Sequence, residues 1–206
     1  TNITNITANV SEGLESFEQT DHGLYYEKSF EIEGEGKTDV ELEIPKDLEN
    51  VEVFVENVKA DFNKVGKKVN LTTELSNKTV KVKGVIPNDK IIKFDKDVYS
   101  SPPETQFEIN FYVKNPLTEK QKMDLALPFE KIEIVGVYRN GIPVGFSDYS
   151  IPQEKLAKIK YKHPDNFRVI GFSENFEAEE TINYKIIARM PEDKGDGKFY
   201  FDLFGN

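Results

Sequence analysis

The chain has 206 residues, enough to bury one large sandwich core or two small ones. Its 37 acidic residues outnumber 27 basic ones, for a net charge of −10, and the lysines are spread singly, as at Lys81, Lys83 and Lys93, so the clustered cations that nucleic acid requires are missing. Cysteine is absent and no run of about 18 apolar residues occurs, so no disulfide stapling and no membrane span are expected.

The first eleven residues, Thr1 to Ser11, hold three Asn-x-Ser/Thr acceptor sites at Asn2, Asn5 and Asn9. Two more lie at Asn70 and Asn77, whereas 16 Asn and 20 Ser plus Thr would yield about 1.5 by chance. Acceptor sites need an accessible segment that meets the transferase outside the cytosol, so N-linked glycans and an extracellular or cell-surface location are expected. The chain lacks an initiator Met and an apolar leader, as a processed or excised chain would. Lysine far exceeds arginine, and Met and Gln are scarce, the bias of hyperthermophile proteins. An archaeal source is the expectation.

Within that segment Ile6, Ala8 and Val10 share one side of an extended chain, and Asn5 and Asn9 share the other. Residues 1–22 therefore read as an extended N-terminal segment. It would hold an inserting strand with Ile6, Ala8 and Val10 as its subunit-interface contacts, and a connector from Glu15 to His22. An extended connector of this length reaches another molecule. Insertion into an open sheet edge of a second copy, repeated head to tail, builds a filament.

From Gly23 onward the pattern has period two. Phe30 and Ile32 alternate with Glu31 and Glu33. Val40, Leu42 and Ile44 alternate with Glu41 and Glu43. Val51, Val53 and Val55 follow, then Val69 to Leu75, Val80 and Val82, Ile92 and Phe94, and Phe107 to Val113. Each run has one dry and one wet face, as in antiparallel sheets covered on one side. Asn140-Gly141, between Ile132–Val137 and Ile142–Phe146, predicts a type I′ hairpin turn. Phe167, Val169 and Gly171 form another strand. Phe176 to Met190 keeps one parity, as a long strand or two in line, and Phe199 to Leu203 closes the chain. Gln153 to Lys160 reads as one or two helical turns after Pro152. No internal repeat is visible. The fold class is all-β: an antiparallel β-sandwich, either a jelly roll or two immunoglobulin-like sandwiches. Tyr99 to Thr105 is the candidate boundary between residues 23–100 and 101–206, which could also form one continuous sandwich.

Chemistry is sparse. His22 and His163 read as surface or capping residues, no nucleophile elbow or phosphate loop occurs, and no catalytic residue is assigned. The chain reads as a non-enzyme without a cofactor. Glu192, Asp193 and Asp196 place hard oxygen donors in a glycine-rich turn, a calcium candidate whose alternative is a plain hairpin.

On the alternation at Ile6 to Val10, the acceptor sites and the cysteine-free strand pattern, the chain resembles archaeal extracellular donor-strand filament subunits of the thread and bundling-pilus type. The resemblance implies a glycosylated β-sandwich whose N-terminal strand completes the next copy in a homopolymer. The alternative is a monomeric cell-surface binding module, for a surface layer, adhesion or carbohydrate recognition. That reading predicts an N-terminal strand paired within its own sheet and an exposed aromatic patch near Tyr25, Tyr26 or Tyr149.

Overall fold

The computed structural model describes residues 9–20, 22–34, 36–75, 78–96, 104–130, 133–145, 147–148 and 167–189. These residues are almost entirely antiparallel β-strand, in a sandwich-like arrangement. They fall into two compact units. The first runs to Lys90 and also includes Pro116–Thr118, and the second takes Ile91–Asn115 and the chain from Glu119 onward. The division at Lys90/Ile91 precedes the Tyr99–Thr105 stretch that sequence reading favoured.

The first unit contains β1 (Asn9–Thr20), β2 (Gly23–Glu33), β3 (Gly36–Glu43), β4 (Glu49–Val55), β5 (Val58–Ala60), β6 (Asn63–Val65), β7 (Lys68–Leu75) and β8 (Lys78–Ile86). One sheet has the order β1-β2-β8-β4-β5 and the other β3-β7-β6. The expected alternation sets which residues are dry. Phe30, Ile32, Val40, Leu42, Ile44, Val53, Val69, Leu71, Val80 and Val82 are all buried, while the interleaved Glu31, Glu33, Glu41 and Glu43 are exposed.

In place of the expected connector at Glu15 to His22, β1 continues as strand to Thr20. It pairs with β2 from Asn9↔Glu33 to Thr20↔Gly23, interrupted by a bulge between Glu12 and Glu15. The Thr20 hydroxyl donates to the Gly23 carbonyl at 2.9 Å and accepts from the His22 amide at 3.2 Å, closing a tight hairpin.

The second unit contains β9 (Ile92–Phe94), β10 (Gln106–Lys114), β11 (Gln121–Glu130), β12 (Glu133–Arg139), β13 (Ile142–Val144), β14 (Ser147–Asp148), β15 (Phe167–Phe176) and β16 (Thr181–Arg189). Its sheets run β9-β10-β16-β12-β13 and β11-β15-β14. Ile92, Ile109, Phe111, Val113, Val137, Ile182, Tyr184 and Ile186 form its core. The parity shared by Phe176 and Met190 hides a change of sheet. β15 ends at Phe176 and β16 begins at Thr181, with a turn held by the Glu180 amide on the Glu177 carbonyl at 3.2 Å.

Counted from their own first strands, the two units have one topology: strand orders 1-2-8-4-5 and 3-7-6 in each. The correspondence extends to residues. In the first unit β4 pairs with β8 as Glu49↔Val85 and then Glu52↔Lys83, across a bulge opposite Gly84. In the second, β12 pairs with β16 as Glu133↔Arg189, Ile134↔Ala188 and then Gly136↔Ile187, with the bulge at Val135.

The next turn is also duplicated. Glu56 and Asn57 have φ of 47° and 64°, and Asn140 and Gly141 have 49° and 81°, the left-handed pair of a type I′ hairpin. The Glu56 amide donates to the Thr79 carbonyl at 3.0 Å while the Glu56 carboxylate accepts from the Thr79 amide at 2.7 Å. Asn140 makes the same two bonds with Asn183, at 2.8 and 3.0 Å. The sequence hides this repeat because few side chains match, as Glu27 matches Glu108, Phe30 matches Phe111 and Lys81 matches Lys185.

Candidate functional site

The outer face of the five-stranded sheet in the first unit carries an open depression of about 610 Å³ across β1, β2, β8 and β4. Register arranges its side chains in two rows. Glu18, Tyr25 and Val85 form one, and Ser16, Glu27, Lys83 and Glu52 the other. Tyr25, near the hairpin end of β2, is 48% exposed. Glu27 lies between two ammonium groups, 3.9 Å from Lys81 and 3.8 Å from Lys83. The Lys83 ammonium also sits 5.3 Å from the centre of the Phe54 ring. Glu18 and Glu52 make no ion pair among the described residues. Asn50, at φ 52°, lies on the bulge at the rim. Gly84 lines the depression, and a Cβ there would lie 2.6 Å from the buried Leu48 side chain and 2.9 Å from the Glu49 carbonyl, which excludes a larger residue.

The duplicated topology supplies an internal comparison. The positions of Tyr25, Glu52 and Lys83 are occupied in the second unit by Gln106, Gly136 and Ile187. The framework therefore does not require the chemistry of the depression.

A second cluster lies on the opposite, dry face of β2. Lys28 falls in the row Leu24, Tyr26, Phe30, Ile32 and is 0% exposed. Its ammonium is 3.3 Å from Glu12 and 3.9 Å from Glu15, the two residues that flank the β1 bulge. It lies 3.5 Å from the Thr118 hydroxyl and 5.3 Å from the Phe30 ring centre. Glu15 also accepts the Tyr26 hydroxyl at 2.7 Å. The corresponding residues of the second unit are Ile109 for Lys28 and Phe94 for Glu12. Sequence reading missed this cluster, although Lys28 is the one charge at apolar parity in its strand.

Of the residues predicted from sequence, Val10 lies in β1 opposite Ile32 and is 37% exposed, whereas Ile6 and Ala8 lie outside the described residues. Asn9 is exposed at the start of β1, and Asn70 is half-buried in β7, the middle strand of its sheet. Asn2, Asn5 and Asn77, the calcium candidates Glu192, Asp193 and Asp196, Tyr149, His163 and the helical turns at 153–160 are all outside the described residues. Among the described residues no cluster of three or more His, Cys, Asp or Glu could hold a metal ion, and no helix is long and apolar enough to cross a membrane.

No family model and no curated protein matches the chain. Among solved structures it is similar to BuGH86 in complex with neoagarooctaose, as wild type and as a variant, at 15% and 14% identity and a TM-score of 0.27 for each. The match covers 98% of this chain and 34% of the other, so the chain spans about a third of that protein's length. A likeness this low carries no argument about activity.

Proposed function

We propose that the protein is an extracellular, N-glycosylated cell-surface binding module that acts as a monomer through the outer face of its first unit. The observation that carries this reading is the closed β1–β2 hairpin. Pairing from Asn9 to Thr20 holds those residues in their own sheet, which supports a module that works as a single copy. The exposed Tyr25 face supports a binding role for that sheet. Light scattering on the purified chain tests the reading: a mass of one chain supports it, and concentration-dependent polymers overturn it.

The filament subunit remains the second reading, favoured by the position of β1. It is an edge strand, with Val10 and Leu14 exposed at 37% and 80%. The bulge, and the inward-facing Glu15, are features that discourage edge-to-edge pairing. This reading expects the intact chain to polymerise and a chain lacking residues 1–11 to stay monomeric. Polymers of the truncated chain would rule out strand donation by that segment.

A further inference from the structure

We infer that the depression around Tyr25 is a binding site for a neutral oligosaccharide, an inference that rests on the binding-module reading and names its ligand class. Three observations converge on it.

Tyr25 presents an exposed ring on a strand paired on both sides rather than on a loop. Such a ring can stack on the C–H face of a pyranose while its hydroxyl reaches a polar group. Around it stand acceptors and donors suited to sugar hydroxyls: the carboxylates of Glu18 and Glu52, the Asn50 amide, the Ser16 hydroxyl and the Lys83 ammonium. The volume of about 610 Å³ lies within the range of small-ligand sites.

Charge selects among saccharides. Glu18, Glu27 and Glu52 set three carboxylates against the Lys81 and Lys83 ammonium groups, so the face is acidic by one net charge. Uronate or sulfate groups would meet those carboxylates on a chain of net charge −10, whereas a neutral sugar gives them hydroxyl donors. Lys83, in the centre of the face, opposes a cationic ligand. Finally, the second unit keeps the same strands and bulge with Gln106, Gly136 and Ile187 in place of Tyr25, Glu52 and Lys83. The chemistry is an addition to the framework and belongs to one unit.

The test is binding of the full chain to an immobilised panel of neutral hexose oligosaccharides and of oligogalacturonates. Saturable binding to a neutral member is expected, reduced about tenfold or more by Tyr25→Ala and largely kept by Tyr25→Phe. Tyr138→Ala, on the second unit, should leave it unchanged. Unfolding midpoints for each variant separate lost binding from lost fold. Preference for oligogalacturonate, or neutral binding indifferent to Tyr25→Ala, overturns the inference. Absence of binding to every panel member overturns it as well. A monomer in light scattering leaves the binding-module reading standing in each of these cases, whereas a polymer removes both.

Discussion

Lys28 occupies a site that the fold fills elsewhere with Ile109, so its charge is a choice of the first unit. Burying an ammonium is costly unless carboxylates compensate it, and removing one member of a buried ionic cluster costs about 3–5 kcal/mol. Lys28→Ile is therefore expected to destabilise the first unit by about that amount, read from urea unfolding, because Glu15 stays nearly buried beside an apolar group. Combining it with Glu12→Phe and Glu15→Gln should recover most of the loss. A triple variant as unstable as the single one would show that the cluster does more than neutralise its own charges.

Lys68 behaves differently because it is exposed. Its hydrogen bond to Glu41 at 2.8 Å, and then the attraction between the two charges, raise its pKa above the ordinary 10.5. A raised folded-state pKa means that the contribution is fully present below about 10.5 and fades as pH rises through the higher folded value. Titration followed at the Lys68 side chain should show deprotonation later than for a free lysine, and Glu41→Gln should bring it back. At an exposed site the effect on stability is small.

The duplicated type I′ turns offer a graft. Glu56-Asn57 holds two residues at positive φ without a glycine, whereas Asn140-Gly141 uses the pair that tolerates this backbone best. Glu56→Asn with Asn57→Gly retains a side-chain acceptor for the Thr79 amide. It is expected to stabilise the first unit by about 0.5–1 kcal/mol in denaturant unfolding, by relieving the left-handed strain. A loss of stability would mean that the Glu56 carboxylate contributes more than the strain costs.

Alternation was enough to read β2, β3, β4, β8, β10 and the β12–β13 hairpin from the sequence, because each has one dry face. The strands β5 and β6 escaped it, since Val58-Lys59-Ala60 and Asn63-Lys64-Val65 lack the two large apolar residues that marked the equally short β9 at Ile92 and Phe94. The turn at Glu56-Asn57 escaped because it lacks the glycine that signalled its counterpart. The depression was legible only as a tyrosine worth noting near Tyr25. Its other members come from β1, β4 and β8, and only cross-strand register brings them together.

Among the described residues the molecule is one eight-stranded plan written twice. The repeat is carried by strand order, a bulge and a turn rather than by residue identity, because a sandwich constrains which positions are dry far more than which apolar residue fills them. The two units also differ in what they add to the plan. The first has an ionic cluster on one side of β2 and an exposed aromatic face on the other. At the corresponding positions the second has Ile109 and Gln106.

The small segment Pro116–Thr118 has a practical consequence. It belongs to the first unit although the chain has by then passed Lys90, and it supplies the fully buried Leu117 and the Thr118 hydroxyl that lies 3.5 Å from the Lys28 ammonium. A gene fragment ending at Lys90 would thus encode the eight described strands of that unit and still yield an incomplete body, with a hole where Leu117 belongs. Such a fragment should unfold at lower urea than the same unit within the intact chain, and a synthetic peptide spanning 115–119 is the piece to add back. Dissecting this protein into interchangeable parts requires splicing, not cutting.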